Sequence, residues 1–291
     1  MNNECFPFQI GSFACYVISD GTFAYPHPAQ LFFTNAPKER LEQVLKEYNL
    51  VPAKWDQHVT PYLCLVIDTG RHKVLVDTGA GGLAPTTGKL IPRLQAEGIS
   101  PNEIDTVILT HGHPDHIGGN IDSEGRPSFP NARYVIWKDE WDFWTSSPDL
   151  AELDIDEHIK GLLLEFARKN LSPIKDQLDL VDQVREIVPG IRVIPAPGHT
   201  PGHMTVAITS NSERLLHISD SVLLQIHLEH PTWYSAVDYA PEKAIATRHW
   251  LLDMAATNKA LVLATHFPFP GMGYVILKEK GWQWHPIEMM G

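Results

Sequence analysis

Thr110-His111-Gly112-His113-Pro114-Asp115-His116 places three imidazoles and a carboxylate directly after the apolar run Val107-Ile108-Leu109. Divalent metals of the zinc, manganese and iron kind accept that donor set. The apolar run reads as a buried strand, so the donors stand at its mouth. In extended chain His111 and His113 point to one side, because side chains alternate with period two. A turn at Pro114 brings Asp115 and His116 round to a second position close by. Pro114 and the pair Gly118-Gly119 argue against a helix through the motif. One metal could hardly use all four donors, so the spacing points to two.

Further donors follow other apolar runs. After Ile191-Arg192-Val193-Ile194 come His199 and His203, within Pro197-Gly198-His199-Thr200-Pro201-Gly202-His203. After Leu215-Leu216-His217-Ile218 comes Asp220, and after Ala260-Leu261-Val262-Leu263-Ala264 comes His266. A surface loop with incidental histidines does not explain a strand followed by a donor four times over. His217, inside its strand, and His227, His230 and His249, outside the motifs, read as structural or solvated. The lone histidines at 27, 58, 72, 158 and 285 read the same way.

The elements that must carry these donors can be sketched from periodicity. Residues 13–19 form a strand ending at the turn signal Asp20-Gly21. Residues 22–36 form an apolar loop, costly to leave in water, either a lip over a pocket or a subunit contact in a homodimer. Pro37 opens a helix to about Asn49, with Leu41, Val44, Leu45 and Tyr48 on one face. Strands at 60–68 and 72–77 end on Asp77. The glycines after it lack the Gly-Lys-Ser/Thr ending of a phosphate loop, so they read as a tight turn. A helix follows at 88–97, and an acidic helical insertion spans 149–169 with Leu153, Leu162, Leu163 and Phe166 available for packing. Strands at 191–195, 204–209 and 214–218, a helix from Pro241 to about Ala256, and strands at 261–264 and 274–278 complete the chain.

Composition narrows the class. With 43% hydrophobic residues among 291, the chain has ample material for a core, and it reads as a single domain over 1–291. Apolar runs stay far short of the roughly 20 residues a membrane helix needs. No basic start precedes an apolar segment at the N-terminus, so the expectation is a cytoplasmic protein without a membrane partner. A formal charge of −12 repels phosphate backbones, which opposes a nucleic-acid partner. Cys5, Cys15 and Cys64 are odd in number and lack a C-x-x-C pair, so no disulfide framework is expected.

The order HGHPDH, PGHTPGH, SD and TH, with Leu75-Val76-Asp77-Thr78-Gly79 upstream, resembles the metallo-β-lactamase superfamily of metal-dependent hydrolases along nearly the whole chain. Val76-Asp77-Thr78-Gly79-Ala80, Phe129-Pro130-Asn131-Ala132, Asp142-Phe143-Trp144 and His266-Phe267-Pro268-Phe269-Pro270-Gly271 are similar to the branch containing methyl parathion hydrolase. N-acyl homoserine lactonases are more distant relatives in this reading. The resemblance implies an α/β (α+β) four-layer αββα sandwich. It also implies two divalent ions, zinc first, with manganese, iron or cobalt accepting the same donors. His111, His113 and His199 would hold one ion, Asp115, His116 and His266 the other, and Asp220 would bridge them. Asp115 and Asp220 then stand at the reacting centre, while Asp77 and His203 support the ligands without binding metal.

Such a site implies a bridging hydroxide attacking an electrophilic carbon or phosphorus. An aspartate at position 220 argues against a true β-lactamase, and no basic cluster suits a glutathione thioester. Di-iron redox relatives carry a flavin domain for which the length leaves no room. A binding protein on a retained scaffold would not need seven donors. Leu223 stands where many homoserine lactonases carry a tyrosine, and Trp144 either resembles an aromatic pocket wall of methyl parathion hydrolase or packs in the core. With Leu31, Phe33 and Trp233, these residues suggest an apolar mouth. The expected substrate is a small hydrophobic lactone or activated aryl ester. The alternative is an organophosphate triester.

Overall fold

The computed structural model describes residues 4–288. Strands β1 Cys5–Ile10, β2 Phe13–Pro26, β3 Gln57–Asp68, β4 Lys73–Val76, β5 Thr106–Ile108, β6 Arg133–Trp137 and β7 Leu178–Val181 form one sheet in that order. Strands β8 Arg185–Val188, β9 Ile191–Pro195, β10 Met204–Ser210, β11 Glu213–His217, β12 Leu261–Leu263, β13 Met272–Leu277 and β14 Trp282–Pro286 form a second sheet, likewise in chain order. The helices are α1 Pro28–Phe32, α2 Lys38–Glu47, α3 Leu90–Ala96, α4 Pro114–Ile117, α5 Lys138–Thr145, α6 Glu157–Leu171, α7 Ile226–Glu229 and α8 Pro241–Asn258.

Strand direction explains where the helices go. From β4 to β7 neighbouring strands are parallel, as are β11 and β12. Parallel neighbours need long crossovers, and those crossovers carry α3 to α6 on one side and α8 on the other. Thr106, Val107 and Ile108 of β5 are all buried, as a strand covered on both faces requires.

Three apolar layers hold the stack. Between the sheets, Val17, Leu65, Ile108 and Val135 meet Val193, Val206, Leu215 and Leu263. Outside the first sheet, Leu75, Val107 and Tyr134 pack against Leu94, Ala167 and Leu171. Outside the second, Leu216 and Val262 pack against Leu251, Leu252 and Ala255. Each fully buried Val or Leu contributes about 1.5–3 kcal/mol. Helix, sheet, sheet, helix is the four-layer αββα order expected from the sequence. A smaller cluster of Phe32, Phe33, Leu41, Val44, Leu224 and Trp233 caps one end.

Several local expectations need correction. β2 does not stop at Asp20-Gly21 but continues to Pro26, and its register with β3 shifts between Ser19 and Gly21. The turn residues there bend a strand instead of ending it. The Asp20 carboxylate accepts the backbone N–H groups of Ala80, Gly81, Gly88 and Leu90, tying the bulge to the loop after β4. Residues 28–32 of the supposed loop form α1. Pro114 opens the one-turn α4, because proline is tolerated at a first helical position. The acidic insertion is helical only from Glu157, where Asp156 caps α6 by accepting the His158 N–H at 2.8 Å.

Candidate metal centre

The four donor motifs leave the strands at one end of the sandwich and converge. Ligand atoms of His111, His113, His199 and Asp220 lie within 4.8 Å of one another, as do those of Asp115, His116, Asp220 and His266. Asp220 belongs to both groups. Its Oδ2 is 3.4 Å from His199 Nε2, 3.8 Å from His111 Nε2 and 3.1 Å from His266 Nε2. Its Oδ1 is 3.2 Å from His116 Nε2. Asp115 Oδ2 completes the second group, 3.4 Å from His266 Nε2 and 3.7 Å from His116 Nε2.

These spacings can be tested against a cation. Four donors held tetrahedrally at about 2.1 Å from zinc stand about 3.4 Å from each other, close to the separations seen around Asp220. His111 Nε2 and His116 Nε2 are buried and have no hydrogen-bond partner among the described residues. An unpaired buried polar group costs about 1–3 kcal/mol, and a cation in each donor group, one facing His111 and the other His116, removes that cost. Burial, then the neighbouring His116 for one and His199 for the other, holds the His111 and His113 imidazoles well below their usual range. Both rings therefore stay neutral, as metal ligation requires. Burial pushes the Asp220 carboxyl up, but the facing His266 and His116 outweigh it and hold it well below the usual carboxylate range. The donor chemistry fits two divalent cations.

A ring of buried acceptors aims these side chains. Asp77, at the end of β4, has Oδ2 2.8 Å from His116 Nδ1, and its carboxylate also accepts the Thr110 N–H and hydroxyl. Asp238 Oδ1 is 2.8 Å from His199 Nδ1. His203 places Nδ1 3.0 Å from the Ala196 carbonyl and accepts the Asp220 N–H on Nε2 at 3.2 Å. With both nitrogens engaged, His203 has none free for a cation.

Glu140 was not singled out from the sequence. Its Oε1 accepts the Gly112 N–H at 2.7 Å and the Trp144 indole N–H at 2.6 Å. Its Oε2 accepts the Thr200 hydroxyl at 2.7 Å and the Gly202 N–H at 2.9 Å. One carboxylate thus joins the HGHPDH loop to the PGHTPGH loop. Both glycines are needed for the approach: a Cβ at Gly112 would lie 2.3 Å from the Trp144 ring, and one at Gly202 would lie 2.2 Å from Glu140 N. The available signal was a carboxylate set among Trp137, Trp141 and Trp144. Asp238 carried no comparable signal, since nothing local marks it.

A cavity of about 960 Å³ opens over the two donor groups, with His113, Asp115, His199, Asp220 and His266 on its floor. Leu31 and Leu223 line it. Phe33, Trp144 and Trp233, expected from the sequence as pocket residues, are not among its lining residues. Phe33 turns into the cap, its ring 4.9 Å from His227 and 5.7 Å from Trp233. Trp233 stacks on His230 at 4.1 Å. Trp144 is buried against His113, 5.5 Å between rings, with its N–H fixed on Glu140. The apolar wall comes instead from Ile159, Leu162, Leu163 and Phe166 of α6, a stripe at helical spacing that reads equally well as packing.

Comparison with known proteins agrees with this geometry. N-acyl homoserine lactonase AiiA of Bacillus thuringiensis subsp. kurstaki is 24% identical over 258 residues, covering 81% of this chain and 92% of its own. The structure of AidC, a dizinc quorum-quenching lactonase in complex with the product N-hexanoyl-L-homoserine, superposes with a TM-score of 0.91 at 28% identity. That match covers 99% of this chain and 98% of AidC. AbOPH, a hydrolase in the beta-lactamase superfamily, superposes with a TM-score of 0.88 at 28% identity, covering 99% of each chain. Residues 59–266 match the metallo-beta-lactamase superfamily as a family. Since that match takes in every donor motif, the chain belongs to the metallo-β-lactamase superfamily, as a metal-dependent hydrolase.

Proposed function

We propose that this hydrolase opens hydrophobic lactones and cleaves activated aryl carboxylic esters, with His111, His113, His199, Asp115, His116, His266 and the shared Asp220 holding two zinc ions. The observation that carries the reading is Asp220 standing between two donor sets on the floor of an apolar cavity. Two divalent cations held by these residues would lower the pKa of a bound water and polarise a carbonyl.

This chain's own groups supply the rest. Asp115 and Asp220 offset two of four cationic charges, leaving an excess that favours an anionic transition state. Asp220, within reach of both sets, accepts the proton lost by the attacking water and returns it to the leaving oxygen. Leu31, Leu223 and the α6 stripe hold the apolar part of the substrate and exclude water. Asp154, Asp156 and Glu165 also border the cavity, with Lys169 as the one Lys or Arg among the described lining residues, and this acidic balance favours a neutral substrate over an anionic one. AiiA and AidC, both lactonases, support the choice of a carboxylic substrate.

The test is a panel of acyl homoserine lactones, dihydrocoumarin, aryl acetates and paraoxon, given to zinc-loaded protein. Lactone or aryl ester rates should exceed the paraoxon rate. A paraoxon rate far above all of them would make phosphotriester hydrolysis the main activity.

A further inference from the structure

Tyr25 from β2 and Thr60 and Tyr62 from β3, three residues that carry hydroxyls, line one side of the cavity. Thr60 and Tyr62 lie two residues apart on one strand, hence on one face of the sheet. Tyr25 Oη and Tyr62 Oη are 2.8 Å apart, one donating to the other. Two phenols own two protons, and the bond between them uses one. Whichever phenol accepts keeps its own proton for a third partner, and neither hydroxyl has another partner among the described residues. Thr60 Oγ1 is buried and likewise has no hydrogen-bond partner among the described residues. The Tyr62 ring stands edge-on to His266 with 5.7 Å between ring centres. The Tyr25–Tyr62 pair therefore borders the same cavity as Asp115 and His266, with the Tyr62 ring against His266 of the second donor group.

We propose that the Tyr25–Tyr62 pair, with Thr60 beside it, donates a hydrogen bond to the carbonyl oxygen of the bound lactone or ester. This deepens the reading of the chain as a lactone and ester hydrolase and rests on it. Negative charge grows on that oxygen as the carbon is attacked, so a donor held in place beforehand acts more strongly on the transition state than on the substrate. Tyr25 and Tyr62 hold one another in place, so the donor needs no reorganisation when the substrate arrives. No covalent step is involved.

The competing account is that the two rings only pack. Phenylalanine keeps both rings and removes both hydroxyls, so it separates the two accounts. The experiment uses zinc-loaded wild type, Tyr25→Phe, Tyr62→Phe and the double variant. Each is assayed on a γ-lactone and on the matching thionolactone, whose C=S is a poor hydrogen-bond acceptor. Zinc content is measured alongside, and calorimetry follows binding of the matching γ-lactam, which keeps the carbonyl but resists opening. The double variant is expected to keep its zinc, to lose roughly 100- to 1,000-fold in kcat/KM on the lactone, and to lose much less on the thionolactone. Its lactam binding should weaken. A lactone rate near wild type, equal losses on both substrates, or a loss explained by missing zinc would overturn the proposal. If the wild type opens no lactone or ester, the functional reading fails, and the lactam still decides the donor question. Weaker binding to the double variant then supports the hydroxyls, and equal binding removes them.

Discussion

Asp77 Oδ2 lies 2.8 Å from His116 Nδ1, and the far nitrogen of that ring faces Asp220 Oδ1 at 3.2 Å. The contact fixes which nitrogen of His116 can meet a cation. It also links the end of β4 to the loop after β5, because Asp77 takes the Thr110 N–H as well. Asp77→Ala should weaken zinc retention roughly 10- to 100-fold, the usual cost of losing such a supporting partner. Competition with a chromophoric chelator measures this, and unchanged affinity would mean that His116 is aimed by something else.

Glu140 is the single acceptor for four donors on three segments of chain. Glu140→Ala leaves them facing a void. At about 1–3 kcal/mol for each orphaned group, partly relieved by relaxation and entering water, a loss of at least about 3 kcal/mol is expected. Glu140→Gln should fall between, because its amide nitrogen would meet N–H groups where a carboxylate oxygen accepted them. Urea unfolding of metal-free protein gives both values. A loss under about 1 kcal/mol for the alanine variant would show that the two loops hold their places without the clamp.

The α6 stripe predicts a separation of binding from metal chemistry. Leu163→Ala and Phe166→Ala should raise KM for a long-chain acyl substrate several-fold or more, since removing apolar contact in a pocket costs about 1–3 kcal/mol. Short-chain substrates and zinc content should change little. Equal effects on short and long chains would place the apolar tail elsewhere in the cavity.

Much of this was legible because the relevant signals are local. HGHPDH, PGHTPGH, Asp220 and His266 each follow an apolar run, and the layered fold follows from two clusters of strands separated by helices. Other features depend on distant segments and left no local trace. Asp20-Gly21 looks like a turn until the loop after β4 brings its four N–H groups to the carboxylate. Trp144 has the right chemistry for a pocket wall, but Glu140 fixes its N–H and turns the ring beneath His113. Ile159, Leu162, Leu163 and Phe166 show helical spacing, and spacing alone does not tell a cavity wall from a core face.

Buried neutral histidines predict acid sensitivity. Burial pushes the His217 imidazole down to about 4, and burial followed by the Arg248 charge pushes His227 down to about 3. Unfolded, each would protonate near pH 6.5. Below that pH the unfolded chain binds more protons than the folded one, so stability falls as pH drops toward about 4 and 3. The slope is up to about 1.4 kcal/mol per pH unit for each such group. Unfolding free energies of metal-free protein between pH 7.5 and 5 should decline accordingly, and His227→Gln should make the decline shallower. A profile for His227→Gln that falls as steeply as that of the wild type would show that this ring takes up its proton without leaving the fold.

The sharing of Asp220 between two donor groups is tested most directly by counting metal. Elemental analysis of zinc-saturated, gel-filtered protein should give two equivalents per chain. Asp220→Ala should retain one or fewer, with hydrolysis lost in parallel. Saturation of the wild type at a single equivalent, or an alanine variant that keeps both ions and its rate, would contradict the account.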